Sequence, residues 1–296
     1  MLSISTRSNF YSPLRYPGGK GKVAAYVKNI LTLNNLEDCH YIEPYAGGAA
    51  VALELLFHEY AKTIHINDLD PGVAAFWRSV LYKTDELCKL IHNAKMDMSE
   101  WQKQRAIALS KTSLGDVDRG FATFFMNRTN RSGILRAGVI GGKEQAGTWK
   151  LDARFNRNEL IQRIEKIASL SNRIRFTELD ASSLLKEITH KKNTFLYLDP
   201  PYFGKGKDLY THFYTHEDHR LIAKAISTLN DVKWIVSYDD VDKISELYGR
   251  FRCIRYTLSY SVQNRYRGGE IMFFSPELKI PDFMGSMRHL EQNLAA

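Results

Sequence analysis

Residues 40–68 read HYIEPYAGGAAVALELLFHEYAKTIHIND. His40 to Glu43 has the apolar character of a short strand, and Pro44 ends it because proline cannot donate to a ladder. Tyr45-Ala46-Gly47-Gly48 follows as a tight turn, since adjacent glycines reach backbone conformations closed to other residues. Ala49 to Tyr60 is rich in Ala and Leu and predicts a helix. Thr63 to Asn67 predicts a second strand, ending at Asp68. Strand, glycine turn, helix, strand and acid form the opening of a doubly wound α/β sheet.

The same alternation extends outward. Val23 to Leu31 predicts a helix after Pro17-Gly18-Gly19. Arg173 to Leu179 and Asn193 to Leu198 predict strands, ending at Asp180 and Asp199. Glu217 to Leu229 and Val241 to Tyr248 predict helices, with a strand at Lys233 to Ser237 between them. Two late segments, Ile254 to Tyr260 and Glu270 to Phe274, predict a hairpin. From 73 to 169 the alternation stops. That stretch reads as helix with an irregular, glycine-rich middle from Asn130 to Trp149. The expected organisation is a discontinuous sheet domain, 1–72 and 170–296, interrupted by a helical insertion over 73–169.

Composition limits the classes of function. The chain has 296 residues, 44% hydrophobic and 25% charged, which suits one large domain or a core with a smaller insertion. No apolar run is long enough to span a bilayer, and the first twenty residues lack the apolar segment of a secretory signal. A cytoplasmic, nucleoid-associated protein is expected. Cys39, Cys88 and Cys253 are far apart and make neither a disulfide framework nor a zinc pair, so no metal is expected. The formal net charge is +8. The excess is concentrated: Arg119 to Arg157 holds eight basic residues against two acidic ones, and Arg250 to Arg267 holds five arginines and no acid. Concentrated basic segments point to a polyanion, with nucleic acid first and a solvated surface as the bland reading.

Asp199-Pro200-Pro201-Tyr202 directly follows the apolar strand FLYL. Ligands of open α/β sheets sit at the carboxyl ends of strands. Two prolines fix φ and remove two donors, leaving a rigid carbonyl beside a carboxylate, with an aromatic ring next in line. Carboxylate and carbonyl together accept both hydrogens of a planar amine, and the ring stacks on its base. A plain strand-ending turn is the competing reading. Asp68 is placed to hold a pair of ribose hydroxyls or to cap the following helix. Lys20, in Arg15-Tyr16-Pro17-Gly18-Gly19-Lys20, is placed for a carboxylate or a phosphate, or is a surface lysine. No GxGxxG and no GxxxxGK[ST] occurs, so neither a dinucleotide fingerprint nor a P-loop is present.

Taken together, RYPGGK, EPYAGGA, HINDLD and LDPPY, in that order, resemble the Dam-type (D12 class, alpha group) DNA adenine-N6 methyltransferases over nearly the whole chain. Asn127-Arg128 with Arg131-Ser132-Gly133 resembles that family's N-R-x-x-x-x-G segment. Tyr16 stands where a tryptophan is common, and Gly48-Ala49 replaces other small pairs. The resemblance implies a Rossmann-like sheet carrying a helical DNA-recognition insertion. It also implies S-adenosylmethionine as donor and N6 of a flipped-out adenine in double-stranded DNA as acceptor. Cofactor binding then falls to Tyr16, Lys20, Tyr45, Ala46, Gly47, Gly48, Asp68, Asp180 and Asp199. Asp199 and the Pro200 carbonyl would accept the N6 hydrogens, and Tyr202 would stack on the base. Asn127, Arg128, Arg131, Arg136, Lys143, Arg265 and Arg267 would contact DNA, with base reading between Asn127 and Arg136. A monomer or weak dimer is expected. The segment from Gly133 to Trp149 differs from GATC-specific members, so no target sequence is carried over.

Rival readings are an RNA adenine methyltransferase, a protein-amide methyltransferase with an NPPY-type loop, and a DNA-binding relative without turnover. The Asp that begins the loop favours a nucleobase amine over a glutamine amide. A zinc deaminase lacks its HxE…PCxxC pattern here.

Overall fold

The computed structural model describes residues 11–15, 21, 23–110, 112, 114–188, 193–204, 214–258, 269–282 and 287–289. The elements are, in chain order, α1 (Ala24–Leu33), β1 (Cys39–Glu43), α2 (Ala50–Phe57), β2 (Ala61–Asn67), α3 (Pro71–Tyr82), α4 (Thr84–Asn93), α5 (Met98–Leu109), α6 (Asp116–Thr129) and α7 (Arg157–Ala168). They continue with β3 (Ile174–Thr177), α8 (Ala181–Glu187), β4 (Thr194–Leu198), α9 (His216–Ile226), β5 (Lys233–Asp239), α10 (Asp242–Tyr248), β6 (Arg252–Leu258), β7 (Glu270–Phe274) and β8 (Met287–His289).

The eight strands form one sheet in the order β3-β2-β1-β4-β5-β7-β6-β8. The first five run parallel, and β7, β6 and β8 add antiparallel pairs. This is the expected Rossmann-like mixed α/β sheet, and the expected β6–β7 pair is present. The short strand β8 carries no sequence signal of its own and extends the antiparallel edge. Chain order reverses between β1 and β4, so the crevice of such a sheet opens above these two strands.

Both faces of the sheet are covered, which explains the apolar runs Phe195 to Leu198 of β4 and Ile271 to Phe274 of β7. Side chains alternate along β4. Phe195 and Tyr197 join the core under α1, α2 and the inserted helices, while Leu196 and Leu198 join the one under α8, α9 and α10. Helices α3 to α7 lie between β2 and β3. They do not carry a detached core. Phe76, Trp77, Phe124, Phe125 and Ile164 belong to the same contiguous apolar cluster as Tyr41 and Tyr197 of the sheet. The crossing of α3 and α6 is close, because a Cβ on Gly120 would stand 2.8 Å from the Ala75 carbonyl oxygen. Among the described residues, no helix is long and apolar enough to cross a membrane.

Candidate active site

The turn after β1 is built by its neighbours. Gly47 has φ of +46°, which glycine adopts without penalty, and Ala49 follows at +49°. A Cβ on Gly48 would stand 2.7 Å from Ser12 Oγ, so that glycine makes room for the segment carrying Ser12 and Leu14. Ala49 offers α2 no side-chain cap. Glu43 supplies one from inside: its Oε2 accepts from Ala52 N at 3.0 Å and from the Tyr41 hydroxyl at 3.0 Å.

Asp68 latches this turn to the end of β2. Its Oδ2 accepts from Gly47 N at 2.8 Å and its Oδ1 from Asp70 N at 2.9 Å. The helix cap before Pro71 is Asp70, which accepts from Gly72 N and Val73 N. Asp68 thus keeps lone pairs facing the crevice. Asn67 ties three strand ends together, donating to the Pro44 and Leu179 carbonyls and accepting from Leu179 N and the Thr177 hydroxyl.

Asp199 stands at the tip of β4. Ser237, on neighbouring β5, donates to Asp199 Oδ1 at 2.7 Å, and the Tyr197 hydroxyl lies 3.0 Å from Ser237 Oγ. Since the serine proton goes to the carboxylate, the tyrosine proton goes to the serine. Beyond the prolines, Tyr202 donates to Glu270 Oε1 at 3.1 Å, and Asp239 accepts from the backbone N–H groups of Phe203 and Gly204 at 2.9 and 2.8 Å. The loop is therefore pinned to the ends of β5 and β7.

These parts surround one cavity of about 690 Å³, inside the usual range for small-molecule sites. Glu43, Tyr45, Ala46, Gly47, Gly48, Asp68, Asp199 and Pro201 all line it. Tyr45 is braced edge-on by Tyr214, with a 3.0 Å hydroxyl contact. Burial lifts the Glu43 carboxyl to about 8, with the charges of Asp199 and Asp68 adding to the rise. Burial, then the charge of Asp70, lifts Asp68 to about 7. A cavity lined by three carboxyl groups, two of them raised by burial, suits a ligand that is rich in hydrogen-bond donors. The hydroxyls and amine of S-adenosylmethionine match that description.

The sequence-predicted residues divide. Tyr45 to Gly48, Asp68 and Asp199 converge. Asp180 is exposed and caps α8, accepting from Ser182 N at 2.9 Å, while its neighbours Leu179 and Ala181 line the cavity. Pro200 is buried, and Tyr202 is half-buried beside the cavity wall without lining it. Tyr16, Lys20, Arg265 and Arg267 lie outside the described residues. Arg131, Arg136 and Lys143 are exposed. Asn127, expected among the base-reading groups, holds a structural post. It is 2% exposed, donates to the Arg15 and Gly133 carbonyls at 2.7 and 2.9 Å, and accepts from Arg15 N at 2.7 Å. Both of its N–H groups are thereby engaged. Arg128 is equally deep, 8% exposed, and lines the cavity instead of the outer surface.

Four contributors went unread in the sequence: Ser237, Glu43 as a cap, Arg15 and Arg163. Only Glu43 carried a signal, an acid directly before the Pro-Tyr-Ala-Gly-Gly turn.

A type II methyltransferase of Lactococcus lactis subsp. cremoris, M1.LlaDCHI, is 23% identical over 69% of this chain and 69% of its own length. The modification methylase StsI of Streptococcus sanguinis is 25% identical over 67% of this chain, which spans only 29% of that longer protein. M.MjaIII of Methanocaldococcus jannaschii is 22% identical over 69% of this chain and 73% of its own. The family description that matches, over residues 16–262, encompasses the glycine turn, the Asp68 latch, the inserted helices and the Asp199 loop. With S-adenosylmethionine as methyl donor and DNA as substrate, the chain belongs to the D12 class N6 adenine-specific DNA methyltransferase family.

Proposed function

We propose that this enzyme is a site-specific methyltransferase acting on N6 of an adenine swung out of duplex DNA. The observation that carries the reading is the shared cavity: the Asp199 carboxylate, oriented by Ser237, faces the same space as the Gly47–Asp68 latch. When bound, S-adenosylmethionine supplies an activated methyl group on a sulfonium. Tyr45, Ala46, Gly47, Gly48 and Asp68 would hold it, joined by Tyr16, Lys20 and Asp180. Asp199 and the Pro200 carbonyl would accept the two N6 hydrogens, which raises electron density on nitrogen and aligns its lone pair. Tyr202 would face the base. Orientation and a preorganised carboxylate supply the rate enhancement.

The inserted helices over 73–169 would be the target-recognition region. The exposed Arg131, Arg136 and Lys143 support this, because long cationic side chains at a rim can reach phosphates and base edges. An adenine inside a duplex cannot reach a cavity beneath that rim, so the base must leave the stack.

Transfer of a labelled methyl group to duplex DNA, RNA and total protein, followed by mass spectrometry of the nucleosides, tests the reading. N6-methyladenine in DNA at discrete sequences is the expected product. Label confined to RNA or protein would overturn it.

A further inference from the structure

The cavity has a second wall that the chemistry at Asp199 does not require. Arg15, Arg128, Arg136, Arg154 and Arg163 line it, with Glu159 the acid in their midst. They are graded by depth: Arg136 and Arg154 are exposed, Arg15 and Arg163 half-buried, and Arg128 is buried. The buried Arg128 Nε has no partner, and among the described residues no hydrogen bond or ion pair reaches its guanidinium. Glu159 is already paired with Arg163, whose other arm donates to the Ser12 carbonyl at 3.1 Å. Arg15 donates to the Asn130 carbonyl at 3.3 Å. Burial and the charges of Arg163 and Arg15 lower the Arg128 guanidinium to about 9, which leaves it a cation at neutral pH. Isolation of a buried charge costs several kcal/mol, on the order estimated for unpaired ions. A buried, unpaired guanidinium lining a cavity is therefore explained by an anion that completes it.

We propose that Arg128, with Arg15 and Arg163, forms an oxyanion site whose occupant is a backbone phosphate of the methylated strand beside the extruded nucleotide. The proposal rests on the function stated above and deepens it. Guanidinium forks match phosphate oxygens. The grading from exposed to buried arginines gives a charged backbone a continuous path inward. The methionine carboxylate of the donor is the other oxyanion this enzyme handles. Like any one backbone phosphate it is a single charge; a strand, with successive phosphates, is what matches arginines graded from the exposed rim to the buried end.

The test uses the full chain, Arg128→Met, a short mixed-sequence duplex, S-adenosylhomocysteine and methylthioadenosine, which lacks the amino-acid end. Arg128→Met should weaken duplex binding about tenfold or more and lower the slope of log affinity against log salt by about 1. Binding of S-adenosylhomocysteine should stay within about twofold, a limit set by the ordinary scatter of surface-type effects. The melting temperature should hold or rise, because an unpaired buried charge is gone. Unchanged duplex affinity and slope would overturn the site. A loss of S-adenosylhomocysteine binding that methylthioadenosine does not share would transfer the site to the donor's carboxylate and overturn the phosphate. A lowered melting temperature with normal duplex binding would reduce Arg128 to a structural part. Wild-type protein that binds duplex in this Arg128-dependent manner but forms no N6-methyladenine would support the site and sink the function on which it was built.

Discussion

Two walls of one cavity, one of carboxyls and one of arginines, are built in opposite ways. Glu43, Asp68 and Asp199 stand on strand tips, and every one of them accepts hydrogen bonds from rigid backbone or from a neighbouring strand. Arg15, Arg128 and Arg163 come from a loop and two inserted helices, and the deepest of them has no hydrogen-bond or ion-pair partner among the described residues. Burial raises Glu43, with Asp199 and Asp68 adding to the rise, and burial and then Asp70 raise Asp68, while Arg128 is lowered by burial and then by other arginines. Neither group contributes to the shifts of the other. The difference teaches what each wall is built to receive. The carboxyl wall is held by hydrogen bonds from backbone and a neighbouring strand and suits a donor-rich ligand. The basic wall is incomplete and waits for an anion.

The largest effect should come from Asp199→Ala. Loss of the carboxylate that accepts the N6 hydrogen should cut methyl transfer by about 10²-fold or more, while binding of S-adenosylhomocysteine persists. Quantitation of N6-methyladenine by mass spectrometry measures it, and near-normal yield would break the acidic side of the comparison. Next, Asn127→Ala strips partners from Arg15 N and from two carbonyls, at a cost of about 2 kcal/mol of stability. Denaturant titration should show that loss with an unchanged salt slope for duplex binding; a changed slope would return Asn127 to the DNA surface. Ser237→Ala should lower kcat roughly tenfold, on the scale of one hydrogen bond to a charged group, and leave KM for DNA alone. Ser237→Thr should restore part of the loss.

The smallest effect concerns pH. Glu43 and Asp68 hold their protons to about 8 and about 7 in the folded protein, whereas in the unfolded chain they lose them near ordinary carboxyl values. Between those limits the folded state binds more protons, so its stability must fall as pH rises. The ligand-free protein should therefore melt at a lower temperature at pH 8 than at pH 5 through these two groups. Glu43→Gln should flatten that dependence, and a slope identical to wild type would place the effect elsewhere.

Much of this was legible beforehand, for reasons visible at particular residues. Strands buried on both faces announce themselves as apolar runs, and every parallel strand of the sheet fell within two residues of its expected span. Glycine turns and proline pairs mark strand ends because few other residues tolerate those backbones. Gly47, Asp68 and Asp199, which follow such punctuation, line the same cavity. Asn127 marks the limit of such reading, because an amide beside an arginine looks the same in sequence whether it faces DNA or clamps a loop. Only the packing of α6 against residues 12–15 decides between them.

The sequence alone determined the sheet, its interruption and the carboxylates at its tips, because these depend on local backbone rules and on periodic burial. The tertiary structure alone decided that Ser237 orients Asp199, that Glu43 caps a helix from beneath, and that three arginines distant in the chain meet inside the cavity. Each of those is a contact between segments far apart in sequence, set by how helices and strands pack, and no local pattern encodes it.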